Sequence, residues 1–379
     1  MIADLGTNAT GIGILSSSFY LGVGIMQIPG GILAARRGPK KTVTLGVLIS
    51  SSAVLGISVS TGLSEVAILR FIGISVSTGL FEVAILRFVV GAGMALVFSP
   101  AVVLAAKFLG GRSGIGVGVI NSAFSIGGLL GVFAWIVIAA TIGWRPSLVL
   151  TGALGLVTAL LVIAFVPSDH EDIRFRLSNT KLKSILKNRV LLLLGLGALA
   201  TNLGSVLISN FMVLYLHLEL GEAPELAGLV TSMVLVLPII TSLWGGRLYD
   251  RSKNSRKLIA IAGLGMFGAL LVCSIPNSLI AFLGPTFAGI AAGPAFTVAF
   301  SAARDITGLE REYESLTIGW VNCISLTGSV WPPLVFSYLA GTYGYSTAWL
   351  GGAVMSLACL TPILFMAGPL QNLRQRTSP

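Results

Sequence analysis

Charge is what this chain has least of. Of its 379 residues only 10% are Asp, Glu, Lys or Arg, while 55% are hydrophobic and the mean hydropathy is +0.93. Soluble domains carry about 25% charged residues, so an ordinary water-facing surface is excluded. Histidine is scarcer still: His170 and His217 both lie near polar stretches, where solvation is expected. Cys273, Cys323 and Cys359 stand alone in apolar runs, which gives neither a disulfide framework nor a metal-ligand spacing. No Gly-Lys-Ser/Thr loop is present to cradle a phosphate, so direct ATP drive finds no support. Gly263, Gly265 and Gly268 match a G-x-G-x-x-G spacing, but no strand precedes them, and they read as a small-residue packing face. No His–carboxylate or nucleophile pair falls within the apolar runs. Enzymatic chemistry, a metal and a cofactor are therefore not expected.

What is abundant is apolar length. Eleven runs, at about 11–35, 42–60, 80–106, 115–140, 146–166, 190–216, 226–249, 257–275, 279–303, 316–340 and 347–367, can each cross a hydrocarbon core about 30 Å thick. Only a helix satisfies its own backbone over such a length in lipid, so the predicted class is an all-α polytopic membrane protein. Glycine, 47 residues, would let those helices approach closely. Of the 24 Lys and Arg residues, 21 fall on alternate loops: 36–41, Lys107 and Arg112, 174–189, 247–257, Arg304 and Arg311, and Arg374 and Arg376. The opposite loops hold Arg145 and the acids Glu219, Glu222 and Glu225. This asymmetry predicts a plasma-membrane protein with an outside N-terminus and a cytoplasmic C-terminus. It also accounts for the net charge of +10 without a nucleic-acid partner.

The chain repeats itself on two scales. Residues 56–71 and 73–88 are near-identical copies, differing at Ser64 and Phe81, which marks a local 17-residue duplication. The larger repeat divides the molecule. The stretch at 31–41, G-I-L-A-A-R-R-G-P-K-K, is matched at 246–257 by G-R-L-Y-D-R-S-K-N-S-R-K. A second pattern, G-x-x-N-x5-G, occurs at Gly118, Asn121 and Gly127 and again at Gly319, Asn322 and Gly328. The distance from Gly31 to Asn121 is 90 and from Gly246 to Asn322 it is 76; removing one 17-residue copy from the first leaves 73. Two related halves are therefore expected, 1–166 and 190–379, joined by a polar linker at 167–189 and with the insert absorbed near 61–79.

The two basic turns resemble the loop signature of the major facilitator superfamily (Gly, small or apolar, Asp, Arg, Gly, Arg/Lys). That resemblance implies two helical bundles rocking about a central cavity, and alternating access for a small solute. It aligns 11–35 with the family's second helix, so the family's first helix is expected to be missing ahead of Met1. It also implies a latch in which the Asp pairs with an Arg and caps a neighbouring helix. Its elements here are Gly31, Arg36 and Gly38 in one turn and Gly246, Asp250 and Arg251 in the other. Ala35 stands where the first Asp is expected. The drug/proton antiporter branch usually shows Gly-Pro in its fifth helix; I-G-G-L-L-G at 126–131 departs from that.

Four residues are candidates for the solute cavity. Arg87, followed by F-V-V-G-A-G, is similar to the family's fourth-helix pattern and lies within a span, where it needs a wet cavity or a partner such as Glu82. Asn121 and Asn322 are pseudo-symmetric amides that either reach solute or bond across helices. Asn202 is of the same kind, with Gln27, Asn210 and Tyr215 as weaker companions, and Pro294 and Pro332–Pro333 are expected kinks. The predicted function is secondary transport of a small polar solute in the lipid bilayer by a monomer, with Arg87 tilting the class toward organic anions. The alternative is a non-transporting fragment or a membrane receptor module.

Overall fold

A computed structural model describes residues 9–59, 78–109, 113–167, 179–252, 254–306 and 313–365. The N-terminal half contains α1 (Ala9–Arg37), α2 (Pro39–Val59), α3 (Thr78–Phe108), α4 (Ser113–Ile142) and α5 (Trp144–Phe165). A short helix α6 (Asn179–Leu186) leads into the C-terminal half: α7 (Arg189–Leu214), α8 (Pro224–Arg251), α9 (Ser255–Cys273), α10 (Ser278–Ala281), α11 (Leu283–Arg304), α12 (Glu314–Gly328), α13 (Pro332–Tyr343) and α14 (Tyr345–Phe365). Among the described residues eleven helical segments are long and apolar enough to cross a membrane.

Three boundaries differ from the sequence reading. The expected span 316–340 is broken at Ser329–Trp331, because Pro332 and Pro333 start a new helix at its first positions, where a missing N–H costs nothing. The linker 167–189 contains α6, whose Ile185 is fully buried in a hydrophobic cluster to which both halves contribute. The span ending at 216 runs on through a π-helical turn, Tyr215–Glu219. Most of the expected insert lies outside the described residues; Thr78 and Gly79 open α3.

The basic turns do more than mark a face. Gly38 closes α1 with a positive φ of 84°, a backbone that glycine adopts without strain, and its N–H donates to Ala34. The Lys40 ammonium then donates to the carbonyl of Ile163 at the C-terminal end of α5 (2.9 Å). In the other half the Arg256 guanidinium donates to Ile363 (2.7 Å) and Leu364 at the end of α14. The acceptors Ile163 and Ile363 are 200 residues apart and the donors 216, each within one residue of the offsets that relate the Gly–Asn–Gly patterns (201) and the basic turns (215), so the two helix-end caps occupy matching places in the two halves. A cation at a helix C-terminus meets the negative end of the dipole and its unpaired carbonyls.

Candidate functional site at the seam between the halves

The two halves meet along two helix pairs, and glycine sets both contacts. On the first seam a methyl group added at Gly31 of α1 would lie 2.7 Å from the Leu316 Cα of α12, and one added at Gly319 would lie 2.7 Å from the Gln27 carbonyl oxygen. On the second seam Gly114 of α4 and Gly246 of α8 touch backbone to backbone. These places admit no side chain without moving a helix.

The second seam opens along its length. At Gly118 an added methyl would lie 2.8 Å from the Ser242 carbonyl oxygen. Ten residues on, about 15 Å along the axis, Gly128 reaches only the tip of Leu235 at 3.8 Å. The α4–α8 contact is therefore closest at the face bearing the basic turns and looser ten residues on, while the α1–α12 contact stays close as far as Gly24, where an added methyl would lie 3.2 Å from the Thr327 amide nitrogen.

Aromatic rings close the bottom of that wedge. Phe98 of α3 packs edge-on against Phe300 of α11, with centroids 5.3 Å apart, and against Phe124 of α4 at 6.1 Å. Phe296 stacks on Phe300. These rings join both halves one to two turns above the end of α11 at Arg304, and sequence reading missed them. The i, i+4 spacing of Phe296 and Phe300 was the available signal.

Arg87 lies nine residues into α3. Phe98 follows eleven residues later, which at 100° per residue leaves the two about 20° apart in azimuth and about 16 Å apart in depth. Arg87 thus shares the face that Phe98 turns toward the opposite half, on the parted side of the ring cluster. Its Nε is buried with no hydrogen-bond partner among the described residues. An unpaired guanidinium donor in a low-dielectric setting strongly favours an anionic partner.

The amides divide among three settings. Asn121 donates from Nδ2 to Thr297 Oγ1 of α11 across the halves (3.1 Å) and is 8% exposed. Its neighbour Ser122 donates to the Ile239 carbonyl of α8 (2.6 Å). Asn202 instead bonds Ser329 Oγ (2.9 Å) and the Ser325 carbonyl within the C-terminal half, next to the break between α12 and α13. Asn322 is buried, 6% exposed, one turn from Gly319 and so beside the first seam. Gln27 is fully buried; its Oε1 accepts from Ser99 (2.9 Å), while its Nε2 finds no partner among the described residues. Asn210 donates to the Val206 carbonyl one turn back, and Tyr215 donates to the Ile275 carbonyl at a distant helix end. Asn121 thus bonds across the halves, Asn322 lies beside the first seam, Arg87 lies on the face that Phe98 turns toward the opposite half, and the bonds of Asn202 to Ser325 and Ser329 stay within its own half.

The second basic turn holds its carboxylate where a helix begins. Asp250 Oδ1 accepts from the Gly114 amide (3.1 Å) and Oδ2 from the Ile115 amide (3.3 Å), at the N-terminus of α4. These first-turn amides have no carbonyl behind them, and a negative charge there meets the positive end of the dipole. Arg36 and Arg251 are exposed beside the two turns.

Three comparisons bear on this architecture. The model of the Major Facilitator Superfamily matches residues 1–221 and 194–379. The nitrite extrusion protein of Bacillus subtilis is 28% identical over 66% of this chain and 63% of its own length. The probable galactarate/D-glucarate transporter GudP of Escherichia coli is 24% identical over 98% of this chain and 88% of its own. In fold, the chain is similar to a crystal structure of the E. coli fucose:proton symporter FucP, with TM-score 0.69 at 18% identity over 94% of this chain and 91% of that one. With both halves matched by the family model, the chain belongs to the Major Facilitator Superfamily.

Proposed function

We propose that this protein is a secondary transporter that carries a small organic anion across the membrane by alternating access, with Arg87 receiving the anionic group. The observation that carries the reading is the buried, unpartnered Nε of Arg87 on the inward face of α3. The parted side of the wedge lets solute descend to that depth, and the ring cluster around Phe98 and Phe300 blocks passage beyond it. Asn121 and Asn322 are positioned to offer amides from the two halves, so a solute held between them couples its binding to their relative tilt. The nitrite and galactarate/D-glucarate in the relatives' names are anions, which supports the same class.

The basic loops favour a cytoplasmic location for the clamped face, with the N-terminus outside and the C-terminus in the cytoplasm. Both halves of the site belong to one chain, so a monomer is a sufficient unit. The solute leaves as it entered, with no covalent step.

Uptake of radiolabelled D-glucarate and a panel of monocarboxylates into proteoliposomes tests the reading. Losing a charge-assisted bond of about 1.5–3 kcal/mol should lower uptake in Arg87→Gln about ten- to a hundredfold. Arg87→Lys should retain part of the rate, because it keeps the charge and loses the fork geometry. Neutral sugars should not compete. Unchanged uptake in Arg87→Gln, at matched protein incorporation, would remove Arg87 from the site.

A further inference from the structure

The two seams that clamp the basic face are built from equivalent helices, yet they are chemically unequal. Gly31 and Gly246 are 215 residues apart, and so are Ala35 and Asp250; Gly118 and Gly319 are 201 apart, and so are Ser113 and Glu314. The α1–α12 contact is therefore the repeat copy of the α8–α4 contact. On the α4–α8 seam, bonds cross between the halves: Asp250 to the Gly114 and Ile115 amides, and Ser122 to Ile239. At the corresponding place on the α1–α12 seam stands Ala35, buried and without a polar side chain. Acid is present there, but it has moved. Glu314, in the first turn of α12 itself, meets Arg304 with Nε–Oε2 at 3.0 Å, both side chains largely buried. Both partners belong to the C-terminal half, so this ion pair serves the helix end without tying the halves together.

A second observation points to the same seam. Gln27 sits where α1, α3 and α12 meet, with Gly319 against its carbonyl and with an orphaned Nε2. A buried donor without a partner opposes the packing that buries it. When α12 withdraws from α1, that amide gains water. When α4 withdraws from α8, Asp250 and the helix-start amides lose charge-assisted bonds.

We propose that the α1–α12 seam is the weak one, so that opening of the basic face begins there while the α4–α8 seam holds. This rests on the alternating-access reading only for its meaning; the asymmetry is a property of the chain itself.

First-turn helix amides report such opening directly, because they have no intrahelical bond to break. Hydrogen exchange of the full-length protein in nanodiscs, without added solute, should show the Ser315 and Leu316 amides exchanging at least about tenfold faster than those of Gly114 and Ile115, after correction for intrinsic rates. Gln27→Leu, which removes the orphaned donor, should slow exchange at 315–316 severalfold and leave 114–115 unchanged; Gln27→Met serves if the branched side chain does not pack. Asp250→Asn should speed exchange at 114–115 and bring the two seams together. Equal exchange at both seams in the unsubstituted protein, or faster exchange at 114–115, overturns the proposal. So does a Gln27→Leu or Gln27→Met protein whose exchange at 315–316 is unchanged. No solute is needed, so a chain that takes up none of the anions offered would fail the transport reading and leave this measurement standing.

Discussion

An amide at the start of a helix has no carbonyl behind it, so Gly114 and Ile115 depend on what faces them, and what faces them is Asp250. Asp250→Asn keeps an acceptor oxygen but loses the charge, at a cost of about 0.5–2 kcal/mol given partial burial at a helix terminus. Uptake by Asp250→Asn should therefore change severalfold at matched membrane expression; an unchanged rate would reduce the turn to a topological marker. Ala35→Asp probes the other turn. Placing an acid there should complete a second latch, by analogy with Asp250. The structure puts Ala35, 6% exposed, one turn beyond Gly31 and beside the first turn of α12, where Glu314 already supplies a carboxylate. A carboxylate buried at position 35 loses its hydration, and a second acid at the same helix start, where Arg304 is already taken up by Glu314, adds repulsion. Ala35→Asp should lower the thermal stability of the purified protein, and Glu314→Gln in the same chain should recover part of the loss. The missing Asp was visible in the sequence. That Ala35 stands at the start of α12 was not, because Ala35 and Glu314 are 279 residues apart in sequence and the two helices meet only in the fold.

At the scale of elements, the ends of helices explain residues that composition treated only as topology signals. Lys40 and Arg256 each cap the last helix of their own half. The caps are unequal, since Arg256 meets two carbonyls from a partly buried position and Lys40 meets one from an exposed position. Arg256→Ala should therefore destabilise more, by about 1–2 kcal/mol against a few tenths for Lys40→Ala. Thermal unfolding in detergent resolves the two, and equal shifts would show that the second carbonyl contributes nothing. Helix existence was legible because an apolar run of twenty residues in lipid has one solution. Helix interruption was half legible: Pro332–Pro333 announced a disturbance, but the break at Ser329–Trp331 also required Ser329 to take up a bond from Asn202, a contact between distant helices. The linker helix α6 was present in the pattern as Leu182, Ile185 and Leu186 and was obscured by its basic neighbours.

The two-fold plan of the whole molecule could be read from sequence because it is written twice, in the turns at 31–41 and 246–257 and in the Gly–Asn–Gly patterns. Which face is parted could not, because both arrangements use the same helices and the same residues, and they differ only in the tilt between halves. The wedge makes that difference measurable. Phe124 lies on the parted side of the ring cluster, touches Phe98 and is 60% exposed, whereas Lys257 lies in the first turn of α9 on the basic face. In a chain whose native cysteines are replaced by serine, Phe124→Cys should react with a membrane-impermeant thiol reagent added to intact cells, and Lys257→Cys should react only after permeabilisation. The first result follows from a wedge open to the outside, the second from the positive-inside orientation. D-Glucarate bound at Arg87 should slow labelling of Phe124→Cys, because Arg87 and Phe98 share one inward face of α3. If Lys257→Cys labels in intact cells, the orientation is inverted. If neither site labels until the membrane is opened, the wedge is closed to the outside in the cell and the clamped face is not the resting one.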